Sequence, residues 1–315
     1  MADGKWIDGL KPGMPIAEAA KTVLTARFAV VKNYLPLAVE KSHEDVEHIH
    51  QLRVGTRRAN AALRVFEDAF PRKLLKQTKR TLRRIRQAAG NARDWDVLIL
   101  ALPAAKPLGT TSAKPALDFL LGYAFGERAA AQTFLAEAAA EAGPLFNELS
   151  EELPLRAREP EANPPANFGE LAVRQLGELF HTFTTDVEAN PKEPKELHAL
   201  RIAGKRLRYA IEIFADCFPP AMKETVYPEV EHLQEILGEV QDACVGVERL
   251  AGIRTTVQQV TPKEFTRVRK GIDALSTNWR AKLPVGQKAF AAWRTGWLKL
   301  MNGLKLEVAV ATATL

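Results

Sequence analysis

Two short stretches of the sequence carry basic side chains at the spacing of one helix face, and each stretch begins with a histidine. The first begins at His50 and the second at His198, and a basic residue follows three and seven positions later in both. An arginine fork takes two phosphate oxygens, a lysine supplies a mobile positive charge, and an imidazole N–H donates a hydrogen bond to an oxygen. Positions three, four and seven apart share one helix face, so the pattern favours binding of an extended chain of anionic groups.

The local charge supports the same chemistry around the first histidine. From His50 to Arg93 the chain has 13 basic and two acidic residues, a net charge of +11, whereas the whole chain has +6 and the remainder is therefore −5. A block with so little counter-charge repels itself unless an anion or a neighbouring carboxylate offsets it. We interpret the block as an anion-binding surface. A solvated charged face is the alternative, although such faces normally mix both signs.

The candidate phosphate contacts are basic or imidazole side chains on three predicted amphipathic helices, whose stripes could converge. They are His50, Arg53, Arg57, Arg58, Arg64, Lys76, Lys79, Arg80, Arg83, Arg84, Arg86, His198, Arg201, Lys205, Arg206 and Arg208. We expect charge reversal at Arg53 and Arg57 to weaken anion binding without unfolding the protein, because both residues face away from the apolar side of their helix.

The two matched histidines could instead be metal ligands. The residues one turn away are Arg53 and Arg201, whose charge repels a cation, and no carboxylate or thiolate set accompanies the histidines at ligand spacing. The sequence therefore predicts no metal site and no cofactor. The histidines are expected either to donate hydrogen bonds to phosphate or to bond a partner inside a helical bundle, and the sequence leaves both open.

Apolar residues recur about every 3.6 positions through most of the chain, which predicts an all-α fold with no convincing strand. Asp45 is placed to cap the first histidine helix, and Pro194 is placed in the first turn of the second. The predicted helices cover residues 16–35, 45–70, 74–94, 115–141, 168–187, 194–218, 227–251 and 262–279.

The two histidine helices belong to an internal repeat. Residues 50–66 align without a gap with residues 198–214, and matches at the same offset continue as far as Asp94 and Asp242. A proline-rich stretch separates the copies, and proline is typical of a linker. The sequence thus predicts two pseudo-symmetric four-helix bundles. The first bundle, the linker, the second bundle and a tail are expected at residues 14–153, 154–167, 168–304 and 305–315, respectively.

The composition indicates the general class of protein. Hydrophobic residues make up 46% and charged residues 26% of the 315 residues, which is ordinary for a globular protein and excludes wholesale disorder. The cysteines are Cys217 and Cys244, too few for a disulfide framework, and no apolar run is typical of a signal peptide or a membrane span. We therefore expect a cytoplasmic protein with no membrane partner.

The histidine helices resemble the signature of the CHAD domain family, the conserved-histidine α-helical domain, which is a His-x-x-Arg-aliphatic helix rich in arginine and lysine. The matching motifs are His50-x-x-Arg53-Val54 with Arg57-Arg58, His198-x-x-Arg201-Ile202 with Lys205-Arg206, and Ala92-Arg93-Asp94-Trp95-Asp96-Val97. The resemblance covers nearly the whole chain. It implies two bundles around a basic cleft or central pore that binds inorganic polyphosphate, association with polyphosphate granules, and granule-associated proteins as further partners.

The second copy departs from the first in charge. Glu212 occupies the position that matches Arg64, and four glutamates stand where the first copy has its third basic stripe. These are Glu229, Glu231, Glu235 and Glu239. We therefore expect the phosphate contacts to be densest on the first copy.

Two other functions remain open from the sequence. A phosphoanhydride hydrolase or phosphotransferase needs clustered carboxylates for a metal, or a glycine-rich phosphate loop. Asp94, Asp96 and Asp242 are available, but the sequence has no such loop and no Glu-x-Glu-x-Lys motif of the CYTH triphosphatase module to which some family members are fused. Nucleic-acid binders interleave aromatic residues with basic ones, and these stripes do not. The sequence favours binding without catalysis and without specific nucleic acid.

Overall fold

The computed structural model describes residues 4–161 and 165–312, and the side chains of the last helix as far as residue 303. Within these residues the chain forms eight α-helices and no strand, which confirms the all-α prediction. The helices are α1 (Ile16–Glu40), α2 (Glu47–Val65), α3 (Arg72–Ala101), α4 (Lys114–Leu155), α5 (Phe168–Glu188), α6 (Pro194–Phe214), α7 (Tyr227–Val260) and α8 (Pro262–Thr312).

The predicted start of the second histidine helix is confirmed, and the first begins at Glu47, two residues after the predicted start. The Asp45 carboxylate accepts a hydrogen bond at 2.8 Å from the backbone N–H of Glu47, the first residue of α2, and Pro194 is the first residue of α6. A carboxylate satisfies one of the N–H groups that lack a partner in the first turn, and a proline has no N–H to satisfy. Local signals therefore fix where both histidine helices begin.

Several helices are longer than predicted, and α4 shows why. It continues through Pro144 and Pro154 to Leu155, whereas the predicted helix ended at residue 141. Each proline removes one backbone hydrogen bond, whereas α4 packs along both α1 and α3, and this burial stabilises the helix. The predicted linker therefore starts inside α4, and residues 305–312 of the predicted tail belong to α8. Residues 162–164 and 313–315 lie outside the described part of the chain.

The chain forms two compact units whose limits differ from those of the repeat. Unit 1 comprises Met1–Gly177 and Tyr209–Pro220, and unit 2 comprises Glu178–Arg208 and Ala221–Leu315. Both α5 and α6 therefore begin in one unit and end in the other. The predicted bundle boundaries come from the internal repeat. They remain a prediction about the repeat and do not describe the limits of these two units.

In unit 1, α1 packs on α2 and α4, and α3 also packs on α2 and α4. Phe28 of α1 meets Phe146 of α4 edge-on, with ring centroids 5.6 Å apart. Gly55 allows α1 and α2 to approach each other, because a Cβ at this position would lie 3.0 Å from Cγ1 of Val30. This contact uses the apolar side of α2 and leaves its polar side for the stripe that begins at His50.

In unit 2, aromatic rings of α5 and α8 form the core. Phe183 meets Trp297 edge-on at 5.3 Å between ring centroids, and Trp293 stacks on Trp297 at 5.4 Å. The Trp293 indole N–H donates a hydrogen bond to the backbone oxygen of Glu229 on α7 at 2.9 Å. These contacts hold α8 along α7, and that pairing positions the polar side chains of both helices.

Candidate anion-binding surface

α2 has the two faces that its sequence predicts. The side chains of Ile49, Leu52 and Leu63 are buried in the core. The stripe on the other side is half buried at its start and exposed at its end, and it consists of His50, Arg53, Arg57 and Arg64. Burial of the apolar face fixes how α2 is turned, and this orientation determines where the basic stripe lies.

α3 packs on α2 and carries a second basic stripe. Its apolar side chains Leu82, Ile85 and Ala89 are buried. Its stripe is exposed or half buried and consists of Lys76, Lys79, Arg80, Arg83, Arg86 and Arg93. We call the two stripes together the α2–α3 surface.

The two stripes meet around Arg86. Burial lowers the pKa of the Arg86 guanidinium, and the positive charges of Arg64, Arg83 and Arg53 lower it further. Because Arg64 and Arg53 belong to α2, cations of both helices lie close enough to repel one another. Within the described residues, no carboxylate forms an ion pair with Arg64, Arg83 or Arg86. The α2–α3 surface therefore contains a positive cluster without a counter-charge of its own.

The acids beside this cluster are engaged with arginines. Nη1 of Arg53 donates a hydrogen bond to Oδ1 of Asp94 at 2.5 Å, and Nε of Arg128 donates to Oδ1 of the buried Asp96 at 2.6 Å. Each carboxylate thus neutralises one guanidinium. Among the described residues, no group of three or more histidine, cysteine, aspartate or glutamate side chains is placed to hold a metal ion.

His50 lies half buried among cations. Burial has the largest effect and lowers the pKa of its imidazole, Arg93, Arg57 and Arg53 lower the pKa further, and Glu47 opposes them. The ring is therefore neutral at pH 7, and a neutral imidazole still has one N–H to donate to an anion.

The sequence candidates omitted Arg93, although it contributes to the field at His50. It follows Arg86 by seven residues on α3, which places both side chains on one face. The helical spacing was therefore the signal that could have identified it.

The structure corrects the prediction for Arg58, which is buried and is not part of the α2–α3 surface. Its side chain is 4% exposed, and its Nε and Nη2 donate hydrogen bonds to the two carboxylate oxygens of Glu212 at 2.7 and 3.1 Å. Nη2 of Arg27 lies 3.6 Å from the same carboxylate. All three side chains belong to unit 1, where they form a buried ion triad. A buried guanidinium needs such a partner, and this requirement explains its position.

The structure also separates Arg84 from the stripe of α3. Its guanidinium donates two short hydrogen bonds to the carboxylate of Glu141 on α4. Arg84 lies roughly 160° around the helix from Arg86, which accounts for its different partner. Lys79 stays on the stripe, but its ammonium group pairs with Glu67 at 3.0 Å.

The stripe of the second copy lies on α6 in unit 2 and contains an ion pair as well. His198 is exposed, and its Nδ1 shares a hydrogen bond of 2.6 Å with Oε1 of Gln241 on α7. Nη1 of Arg208 lies 3.5 Å from Oε1 of Glu231. Arg201 and Lys205 are half buried, and Arg206 is exposed.

Comparison with known proteins gives the context of this geometry. The family model described as CHAD domain matches residues 22–251. The crystal structure of the CHAD domain from the plant Ricinus communis has a TM-score of 0.72 to this chain and 22% sequence identity, and the match covers 91% of this chain and 94% of that one. PptA from Streptomyces chartreusis has a TM-score of 0.67 and 17% identity, with 89% and 99% covered.

At these identities the two structures show a common fold. No curated protein sequence matches the chain. In the described part of the chain, no helix has an apolar stretch long enough to span a bilayer. The matched range contains both histidine helices and the basic stripe of α3 between them, and the chain therefore belongs to the CHAD domain family.

Proposed function

We propose that this protein binds inorganic polyphosphate on the α2–α3 surface. The observation that carries the proposal is the group of Arg64, Arg83 and Arg86, in which the charges of Arg64 and Arg83 act on Arg86 and none of the three has a carboxylate partner among the described residues. An anion placed against such a group relieves the repulsion, and guanidinium groups form paired hydrogen bonds with phosphate oxygens. Membership of the CHAD family, which is associated with polyphosphate, supports the same ligand.

The extent of the stripe on α3 favours a chain of phosphates over a single anion. At 1.5 Å per residue, the distance along the helix from Lys76 to Arg93 is about 25 Å. A single phosphate group would contact two or three of these cations. A linear polyphosphate reaches most of them at once and so offsets the repulsion along the whole stripe.

The residues that form the α2–α3 surface include no phenylalanine, tyrosine or tryptophan, which distinguishes it from a single-strand nucleic-acid site. Bases need such side chains as stacking platforms in single-strand binders. Trp95, which follows the stripe on α3, packs against Tyr123 with ring centroids 6.0 Å apart. A phosphate chain without bases needs no platform, which supports inorganic polyphosphate as the ligand.

Binding without catalysis is part of the proposal. Hydrolysis of a phosphoanhydride needs carboxylates that can hold a metal ion against the developing charge. Asp94 is paired with Arg53, and Asp96 is paired with Arg128. Both carboxylates are therefore used in ion pairs, which supports a role in holding arginines.

The second copy is proposed to contribute weaker contacts. Its candidate residues lie on α6 beside the glutamates of α7, and the pair of Arg208 with Glu231 reduces the charge available to an anion. These residues are His198, Arg201, Lys205, Arg206 and Arg208. We further propose that binding of long polyphosphate chains places the protein at polyphosphate granules.

The test is a binding titration of the full chain with long-chain polyphosphate at several salt concentrations. The double variant Arg64→Glu and Arg83→Glu reverses two exposed cations of the positive cluster. The variant Arg156→Glu and Arg158→Glu makes the same charge change at exposed positions outside the α2–α3 surface. We expect the first variant to lose affinity by about a hundredfold with a shallower salt slope, and the second by less than about threefold.

Three results would contradict the proposal. Equal losses in the two variants would show that only the total charge matters. Displacement of polyphosphate by single-stranded or duplex DNA, at equal phosphate and equal salt, would favour nucleic acid. Steady phosphate release in the presence of Mg²⁺, abolished by Asp94→Asn, would indicate an enzyme.

A further inference from the structure

A cleft opens between α7 and α8 in unit 2. Its volume is about 390 Å³, which lies within the range of pockets that hold small organic ligands. α7 provides Arg254 and Thr255, and α8 provides Asp273, Ser276 and Arg280. None of these side chains belongs to the α2–α3 surface, so the cleft is a second place where a ligand can be held.

Part of the lining is apolar. Leu250 and Ile272 lie beneath the floor of the cleft and are almost completely buried, whereas Ala251 is exposed in its lining. A small apolar surface of this kind suits part of the carbon skeleton of an organic molecule. An inorganic anion has no carbon skeleton to place there. The apolar part of the lining therefore favours an organic ligand.

Two arginines supply hydrogen-bond donors for an anion. Nε of Arg254 donates to Oδ1 of Asp273 at 3.3 Å, and its guanidinium lies 5.3 Å from the centre of the Phe265 ring. These contacts orient Arg254, and its Nη1 and Nη2 groups form no hydrogen bond with the described residues. Arg280 is exposed and has no ion pair in the described part of the chain. Both guanidinium groups line the same cleft, and a guanidinium forms paired hydrogen bonds with phosphate oxygens.

Thr255, Thr277 and Asp273 offer hydrogen-bond acceptors to the cleft. The hydroxyl of Thr255 donates its proton to the backbone oxygen of Ala251 at 3.0 Å, and that of Thr277 donates to the backbone oxygen of Asp273 at 2.9 Å. Each threonine oxygen is therefore left as an acceptor, and the Asp273 carboxylate is an acceptor as well. A ligand with hydroxyl groups can donate to these atoms. Linear polyphosphate at neutral pH has almost no such donors, and the carboxylate repels it.

We propose that the cleft binds a small phosphorylated sugar or polyol, with its phosphate on Arg254 and Arg280 and its hydroxyl groups on Asp273 and the threonine oxygens. The parts of α7 and α8 around the cleft, residues 248–282, include eight basic and three acidic residues, and this net positive charge attracts an anion. The site is independent of the polyphosphate proposal, because its ligand is distinguished by hydroxyl groups and a carbon skeleton.

The experiment is calorimetric titration of the full chain with ribose 5-phosphate, glycerol 3-phosphate and glucose 6-phosphate. Free ribose and inorganic phosphate are the comparison probes. Arg280→Gln removes an exposed cation of the cleft, Lys282→Gln removes one from the same helix outside it, and Arg83→Gln removes one from the α2–α3 surface. We expect at least one sugar or polyol phosphate to bind more than about tenfold tighter than free ribose and inorganic phosphate. Among the three variants, only Arg280→Gln should lower the affinity for that ligand, by about tenfold.

A fourth variant tests the hydrogen-bond acceptors of the site separately from its arginines. Asp273→Asn removes an acceptor and a negative charge. It should therefore weaken binding of the sugar phosphate and strengthen binding of inorganic phosphate. The proposal is overturned if no phosphorylated probe binds better than inorganic phosphate, if Arg280→Gln matches Lys282→Gln, or if Arg83→Gln causes the loss instead. If Asp273→Asn raised the affinity for both the sugar phosphate and inorganic phosphate, the acceptor role of Asp273 would also be overturned.

Discussion

α2 and α6 carry the same motif in different surroundings. His50 is half buried among arginines that lower the pKa of its ring, whereas His198 is exposed and bonded to Gln241. Arg58 is buried, whereas Arg206 at the matching position is exposed. The motif sets the spacing of the side chains, and the neighbouring helices decide which of them can meet a ligand.

The helices that follow them account for the difference in charge. α3 extends the basic stripe of α2, whereas α7 carries five glutamates, one of which, Glu231, lies 3.5 Å from Arg208. A cation beside a carboxylate is already compensated, so a polyanion gains less by binding there. The two copies have therefore diverged in the surface that a polyanion would meet.

The largest effect is expected at Glu212, which occupies the position in the second copy that matches Arg64 in the first. Its buried carboxylate pairs with Arg58 and Arg27. Glu212→Ala removes this carboxylate from two buried guanidinium groups, which should lower the free energy of unfolding by about 3–5 kcal/mol. Urea unfolding measures the loss. Glu231→Ala, which breaks the partly exposed pair with Arg208, should change it by less than about 1 kcal/mol, and equal losses would contradict the role of the triad.

The next effect compares the two histidine stripes directly. Arg53→Glu with Arg57→Glu should lower the affinity for polyphosphate by about tenfold or more and make the salt slope shallower, with the fold intact. The matched control is Arg201→Glu with Lys205→Glu, which makes the same change in the second copy and should lose less than about threefold. Titration at several salt concentrations measures the affinity and its salt slope, and circular dichroism shows whether each variant keeps its helical fold. An equal or larger loss in the second copy would reverse the order that we assign to the copies.

A smaller effect, of opposite sign, is expected at Asp94. Asp94→Asn weakens its pair with Arg53 and adds a net positive charge, so the affinity for polyphosphate should rise by about threefold. Asp96→Asn makes the same chemical change two residues along α3. The partner of Asp96 is Arg128, which lies outside the α2–α3 surface, and the Asp96 side chain is only 4% exposed. That variant should destabilise the fold with little gain in affinity. A fall in affinity for Asp94→Asn would show that Asp94 positions Arg53 for the ligand.

The smallest effect concerns pH and again separates the two histidines. The lowered pKa of His50 means that the unfolded chain takes up the proton first as the pH falls, so this group removes stability below about pH 6.5. Bound polyphosphate favours the charged ring, so the pKa of His50 should rise on binding and affinity should increase a few-fold from pH 8 to 6.

Two-dimensional NMR titration of the histidine rings, with and without polyphosphate, measures that rise. His50→Gln should flatten the pH dependence of affinity, and His198→Gln is the matched control that should preserve most of it. A His50 resonance that titrates unchanged when polyphosphate is added would place the ligand elsewhere.

Features that depend on neighbouring residues in the chain were predictable from the sequence. The two faces of α2, the carboxylate of Asp45 at its start and the beginning of α6 at Pro194 all follow from helical spacing and from local hydrogen bonding. The repeat was visible because the copies kept the same spacing. These signals lie within a few residues of the feature that they predict.

Features that depend on distant partners were not predictable in this way. Arg58 and its partner Glu212 are 154 positions apart, and Arg84 and its partner Glu141 are 57 apart. A helix face identifies which side chains point together, but it does not identify a carboxylate that another helix brings to them. The passage of α4 through Pro144 depends likewise on packing against α1 and α3.

The buried triad has a consequence for how this chain can evolve. Arg27 and Arg58 come from the first copy, and the carboxylate between them comes from the second. A gene fragment that encoded the first copy alone would leave two core guanidinium groups without this acid, and a fragment of the second would expose an acid without its bases. Each copy would therefore be less stable alone than in the presence of the other, and the duplicated halves depend on each other for a compensated core.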